Sequence, residues 1–154
     1  YIPVKIKWPN DLVAADRKIA GILVETIIQN NSLDALIIGI GINVNTKEYP
    51  KEIENKATSI YLETSKKVNL KSLKEEVLRD LDYYYGPFLD SSIEYLDVCR
   101  RNSSLINREV WIDDFHSKRF GIVQDILESG NILILVNGEK EEFHSGEITL
   151  HANY

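Results

Sequence analysis

Apolar and small or polar residues alternate along Ile38-Gly39-Ile40-Gly41-Ile42-Asn43-Val44-Asn45. In a strand, successive side chains point to opposite faces. Ile38, Ile40, Ile42 and Val44 therefore share one face, and Gly39, Gly41, Asn43 and Asn45 the other. The first face reads as core. The second carries no bulk and ends in two amides, a surface suited to a flat polar ligand. Glycine inside a strand costs stability and marks close approach by a ligand or another backbone. Val4-Lys5-Ile6-Lys7-Trp8 alternates in the same way, with Val4, Ile6 and Trp8 predicted inward and both lysines outward. Pro9-Asn10-Asp11 stops that strand in a turn. Residues 18–28 and 35–45 read as strands joined by a loop over 29–34.

The period then changes. Leu70, Leu73, Val77, Leu78 and Leu81 make one helical stripe, predicting a helix that starts from Asn69 or Ser72 and runs to about Tyr85. Ser72-Leu73-Lys74-Glu75 fits a capping box, and Gly86-Pro87 predicts a break. A second helix is expected over 92–101. Beyond Asn102-Ser103-Ser104 come short β segments at 109–112, 119–126, 132–136, 141–144 and 148–150. Turn signals separate them at Asp113-Asp114, Ser129-Gly130-Asn131, Asn137-Gly138 and Ser145-Gly146, of which Asn-Gly is the strongest hairpin cue. So many strands in so short a stretch predict a small SH3-like barrel. The boundary is placed near residue 105, giving parts 1–105 and 106–154.

Composition narrows the class. The chain has 154 residues, 44% hydrophobic and 27% charged, which is ordinary for a globular protein and far from the disordered class. A net charge of −6 speaks against nucleic-acid binding through this segment. No run of about 18 apolar residues predicts a membrane span, and no signal-peptide pattern is visible, so a cytoplasmic location is expected. The one cysteine, Cys99, rules out an internal disulfide and suits a reducing compartment. The chain lacks methionine and starts at Tyr1 directly in strand-like sequence, so further residues are expected upstream.

Basic residues gather near the N-terminus: Lys5, Lys7, Arg17 and Lys18. Lys18 opens a strand whose next positions are small or apolar, and on the face it shares with Ala20 and Ile22 little hides its charge. The ordinary reading of such a residue is a solvated lysine at a strand end. Beside Lys7, Asp11 and the glycine-faced strand, a fixed ammonium could instead stabilise negative charge on a phosphoryl or carboxylate oxygen. Asp11 and Asp16 are magnesium candidates, since one or two carboxylates with substrate phosphates form a typical magnesium site. Asp16 also reads as a plain turn residue, and Asn10 as either a turn cap or a ligand contact. Trp8 reads as core or site wall. His116, His144 and His151 show no metal-ligand spacing and read as surface residues, and Cys99 as an inert helix residue. Tyr83-Tyr84-Tyr85 reads as helix packing.

In order and content, Lys7-Trp8-Pro9-Asn10-Asp11, Asp16-Arg17-Lys18-Ile19-Ala20-Gly21-Ile22-Leu23-Val24-Glu25 and Gly39-Ile40-Gly41-Ile42-Asn43-Val44-Asn45 resemble the catalytic domain of bacterial biotin protein ligases. Ala57-Thr58-Ser59-Ile60 resembles a further family motif, and Asn107-Arg108-Glu109-Val110 with Gly146-Glu147-Ile148-Thr149-Leu150 the family's SH3-like domain. The resemblance spans the whole chain. It implies an α+β fold, a mixed sheet with helices packed on it as in class II synthetases, followed by the barrel.

It also implies two-step chemistry. The biotin carboxylate attacks the α-phosphate of Mg-ATP, giving biotinyl-5′-AMP and pyrophosphate. A lysine of the biotin carboxyl carrier protein of acetyl-CoA carboxylase then attacks the mixed anhydride and releases AMP. By resemblance, Lys18 bridges carboxylate and α-phosphate, Gly21 and Gly39 line the biotin slot, and Gly41 is a further substrate-binding residue. Asn43, beside Ile42, holds the adenosine end. Asn10 and Asp11 lie by the phosphates, with Asp11 also near magnesium and the incoming lysine, and Lys7 adds positive potential. A homodimer through sheet edges belongs to the same implication. The family's Gly-Arg-Gly-Arg loop lies upstream of Lys7 in relatives and is absent here, so the 154-residue chain by itself is expected not to turn over. A lipoate ligase and a non-catalytic binding module are the competing readings.

Overall fold

The computed structural model describes every residue except 91–93, 114–116, 146–148 and 153–154. The predicted turns at Asp114 and Gly146, the surface reading of His116, the start of the second helix at Ser92 and the motif residues 146–148 lie outside the described residues. Contacts divide the chain into two compact units, Tyr1–Lys5 with Asn10–Asp80, and Ile6–Pro9 with Leu81–Tyr154.

One sheet has the order β1-β2-β3-β4, with β1 at Val4–Lys7, β2 at Asp11–Ala14, β3 at Arg17–Gln29 and β4 at Ser32–Ile42, and β2, β3 and β4 lie in the first unit. Strand β2 was not anticipated from sequence, because Pro9-Asn10 and Ala15-Asp16 leave only four residues between turn signals. Ala15 and Asp16 both take positive φ, 46° and 60°, so Asp16 is indeed a turn residue. Asn30 and Asn31 do the same at 49° and 60°, and the hairpin turn is two residues rather than the six expected. A left-handed pair matches the twist of the flanking strands, and asparagine tolerates that conformation.

The pairings β2–β3 and β3–β4 are antiparallel. Beside these ladders, an isolated parallel bridge joins Lys18 and Ala57. Ala14, Ile19 and Ala20 form a small buried cluster, with Ile2, Leu12, Ile42 and Ile60 packed on it. The face of β4 that reads as core in the sequence is not buried: Ile38 and Ile40 are exposed, and Ile42 and Val44 half-buried.

Helix α1, Ile60–Thr64, is capped by Ser59, whose Oγ accepts from the Leu62 N–H at 3.1 Å. Helix α2, Leu70–Leu89, starts from Asn69, whose Oδ1 accepts from Lys71 and Ser72. Ser72 thus lies inside the helix, and the capping box over 72–75 is not its start. Nor does Gly86-Pro87 break it. Proline has a helical φ and loses only one intrahelical bond, tolerable in the last turn.

In the second unit, α3 (Tyr95–Arg101) is followed by a sheet of order β8-β7-β6-β5-β9. Its strands are β5 Glu109–Asp113, β6 Lys118–Ile126, β7 Ile132–Val136, β8 Glu139–Phe143 and β9 Thr149–Ala152. All four ladders are antiparallel. Among the described residues no pairing joins β8 to β9, so the sheet is open where a closed barrel was expected.

Val110, Ile112, Val123, Ile132 and Ile134 are wholly buried in its core, together with Leu105 and Phe143. Trp8 belongs to that core and donates its indole N–H to the Gly130 carbonyl at 2.9 Å. Asn137 and Gly138 take φ of 53° and 89°, as the hairpin signal predicted. Arg100 pairs with Asp125 at 2.7 Å, and that hydrogen bond holds its guanidinium more firmly protonated. Burial pushes the Cys99 thiol up.

Candidate functional site

A groove of about 650 Å³ lies over β3 and β4, lined by Lys18, Gly21, Leu23, Gly39, Gly41 and Asn43 with their neighbours. Its size suits a small organic ligand. The register explains its floor: Gly21 faces Gly41 and Leu23 faces Gly39 across the ladder, so bare backbone forms most of one face. A Cβ at Gly39 or Gly41 would meet only atoms at 3.7 Å or beyond, so packing does not require either glycine. Their effect is to keep the groove empty.

Lys18 reaches this floor by a β-bulge. Strand β2 pairs Asp11 with Gly21 and Leu12 with Ala20, but Val13 pairs with Lys18, leaving Ile19 extra. Strict alternation, the sequence expectation, puts Lys18 on the face of Ala20 and Ile22. The bulge turns it instead to the face of Asp11 and Gly21, in line with the way bulges re-aim side chains. Its Nζ lies 2.5 Å from Asp11 Oδ1, with both side chains partly open to solvent. A Cβ at Gly21 would stand 3.0 Å from that Nζ and 3.1 Å from the carboxylate, so glycine here makes room for the ion pair. The pair is the chemical centre of the groove. An ammonium held over a backbone floor can receive a carboxylate or phosphoryl oxygen.

The other expected residues divide. Asn10 lines the groove, but its Nδ2 donates to the Ile22 carbonyl at 2.8 Å while its own carbonyl accepts from the Ile22 N–H at 2.9 Å. Its amide nitrogen thus braces β3 at Ile22. Asn43 lines the groove beyond the end of β4, its Nδ2 a long 3.3 Å from the Lys18 carbonyl. Ile42 contributes to the lining while packing on the small cluster below. Lys7 is not among the lining residues. Asn45 is not in the groove either: its amide bonds both polar groups of Val68, at 2.8 and 2.9 Å. Asp11 supplies a single carboxylate already paired with Lys18, and no group of three potential metal ligands exists among the described residues. That donor set fits only an ion arriving with a phosphate ligand.

Sequence reasoning missed the scaffold behind Lys18. Thr58 and Ser59 are wholly buried although polar, and Thr58 bonds Glu63. The local signal was the pair Thr58-Ser59 directly before Ile60-Tyr61-Leu62, a helix N-cap pattern.

The Biotin/lipoate A/B protein ligase family model matches residues 1–43. The bifunctional ligase/repressor BirA of Escherichia coli is 29% identical over 97% of this chain and 47% of its own length. The biotin–[acetyl-CoA-carboxylase] ligase of Mycobacterium tuberculosis is 25% identical over 93% and 52%. The chain thus spans about half the length of the curated relatives it matches. The biotin protein ligase of Aquifex aeolicus superposes with a TM-score of 0.84 at 32% identity, covering 99% of this chain and 66% of that one. The same enzyme in complex with biotin and ATP gives 0.82 at 31%, covering 99% and 63%. Among the described residues, no helix is long and apolar enough to cross a membrane.

Proposed function

Since the chain belongs to the biotin protein ligase family, we propose that its groove holds biotin and ATP for adenylation of the vitamin. In that step a biotin carboxylate oxygen bonds the α-phosphorus and the bond to pyrophosphate breaks. A lysine amine of the carboxyl carrier protein then takes the acyl group, and AMP leaves. The observation that carries the reading is the Lys18 ammonium aimed by a bulge over a floor of Gly21, Gly39 and Gly41.

Negative charge gathers on the carboxylate and α-phosphate oxygens as they meet, and a preoriented cation stabilises it there. Gly39 and Gly41 leave room for a flat ring system, and Asn43 stands at the far end for the nucleoside. Magnesium enters as part of Mg-ATP, with Asp11 the carboxylate available to it. Residues 1–105 are read as the ligase part and 106–154 as an SH3-like part in a cytoplasmic enzyme. The 154-residue chain alone is expected not to turn over, because the upstream Gly-Arg-Gly-Arg loop of relatives is not in it.

Titration with a non-hydrolysable biotinyl-adenylate, followed by amide NMR, tests the reading. The Gly21, Gly39, Gly41 and Asn43 signals should move, and Lys18→Ala should abolish the response. Unmoved glycine signals at millimolar ligand would sink it, and a stronger response to a lipoyl analogue would favour a lipoate ligase.

A further inference from the structure

Behind the groove, the backbone of Lys18 is bracketed by one short segment. Its N–H donates to the Lys56 carbonyl at 2.8 Å, and its carbonyl accepts from the Thr58 N–H at 2.9 Å. Thr58 is wholly buried, and its hydroxyl donates to Glu63 Oε1 at 2.5 Å. Arg17, the residue before Lys18, donates from Nη2 to the same oxygen at 2.8 Å. A closed ring results: Arg17 to Glu63, Glu63 to Thr58, Thr58 to the Lys18 carbonyl, and back along the chain to Arg17.

One carboxylate oxygen therefore fastens both sides of the lysine. Helix α1 holds that oxygen in place, since Ser59 caps the helix and also donates to the Thr46 carbonyl at 2.5 Å. Glu63 itself is not among the residues lining the groove.

We propose that Glu63 is a positioning residue, which through Arg17 and Thr58 locks the bulged backbone so that Lys18 faces Asp11 and the glycine floor. The proposal rests on the reading of Lys18 as the ligand-facing cation. Its physical need is plain. A bulge leaves one residue unpaired, and a slip of one residue sends every following side chain to the other face. Lys18 stands at the start of β3, where its pair with Val13 is the last but one of the ladder to β2. A buried hydroxyl without its acceptor loses its hydration with nothing in return, so Thr58 stays on Glu63 and the segment stays on Lys18.

The test reads the Lys18 side-chain 15Nζ signal in the 154-residue chain without ligand. Asp11→Asn removes the ion pair and should displace that signal. In a Glu63→Leu background the displacement should be lost, because the lysine no longer meets position 11. Glu63→Gln should retain it, since an amide oxygen can accept both bonds. Thr58→Val should behave as Glu63→Leu, and Thr58→Ser as the native chain, with circular dichroism checking the fold of each. An unchanged displacement in folded Glu63→Leu and Thr58→Val chains would overturn the proposal. So would equal loss in Glu63→Gln, which would make the charge and not the acceptor the cause. Unfolding of both apolar variants would overturn it too, because a purely structural bond would suffice. If the coupling behaves as expected while biotinyl-adenylate leaves the glycine amides unmoved, the positioning role stands and the ligase reading falls.

Discussion

The β3–β4 hairpin and the β5–β9 sheet are both antiparallel and both rich in isoleucine, leucine and valine, yet only one uses them as a core. In the second sheet Ile112, Ile132 and Ile134 have no exposed surface. In the hairpin Val24, Ile28 and Ile38 are exposed at 53%, 66% and 42%. Alternation decides which residues share a face. Burial requires a second layer over that face, and in the β5–β9 sheet the inward side chains cluster together with Trp8 and Leu105. The hairpin's other face is given to bare glycines and a cation. Apolar content alone therefore separates neither core from surface nor scaffold from site.

The largest effect that can break this comparison is a cavity. Ile134→Ala should cost about 2–5 kcal/mol in denaturant unfolding, whereas Ile38→Ala should cost less than about 0.5 kcal/mol. Equal losses would show that the hairpin face is packed after all. Next comes Lys18→Ala, expected to weaken adenylate formation in an active ligase carrying this segment by about 10²-fold or more. Its melting temperature should stay near native, because the side chain is half exposed. Below that lies a glycine contrast. A Cβ at Gly121 would stand 2.6 Å from Ile134 Cγ2, so Gly121→Ala should destabilise by about 1–3 kcal/mol. Gly39→Ala meets only ordinary contacts, and should leave stability unchanged while reducing ligand-induced shifts in the groove.

The smallest effect is at Cys99, whose thiol burial pushes up. The unfolded chain then releases that proton first. The associated stability is complete below the ordinary thiol range and is lost as pH rises through the raised folded value. Alkylation by iodoacetamide at mildly alkaline pH should be slower than for an unstructured peptide thiol.

Much of the second sheet was legible because its turns use residues with few alternatives. Asn137-Gly138 and Ser129-Gly130-Asn131 fix where strands stop, and period two does the rest. The groove glycines and Asp11 were legible for a similar reason. The face of Lys18 was not, because a bulge depends on strand pairing and leaves no mark in one strand's own pattern. Asn69 was one of two predicted caps and is the one used, whereas the continuous helix through Pro87 was obscured by the break signal at Gly86-Pro87.

On the proposed reading of the groove, the carboxylate that already occupies Lys18 would make it selective before any substrate arrives. A bare anion must evict an incumbent of the same charge, and gains only the difference between two similar contacts. A visitor that brings its own cation gives Asp11 a new companion while it takes the ammonium, so the exchange leaves neither charge stranded.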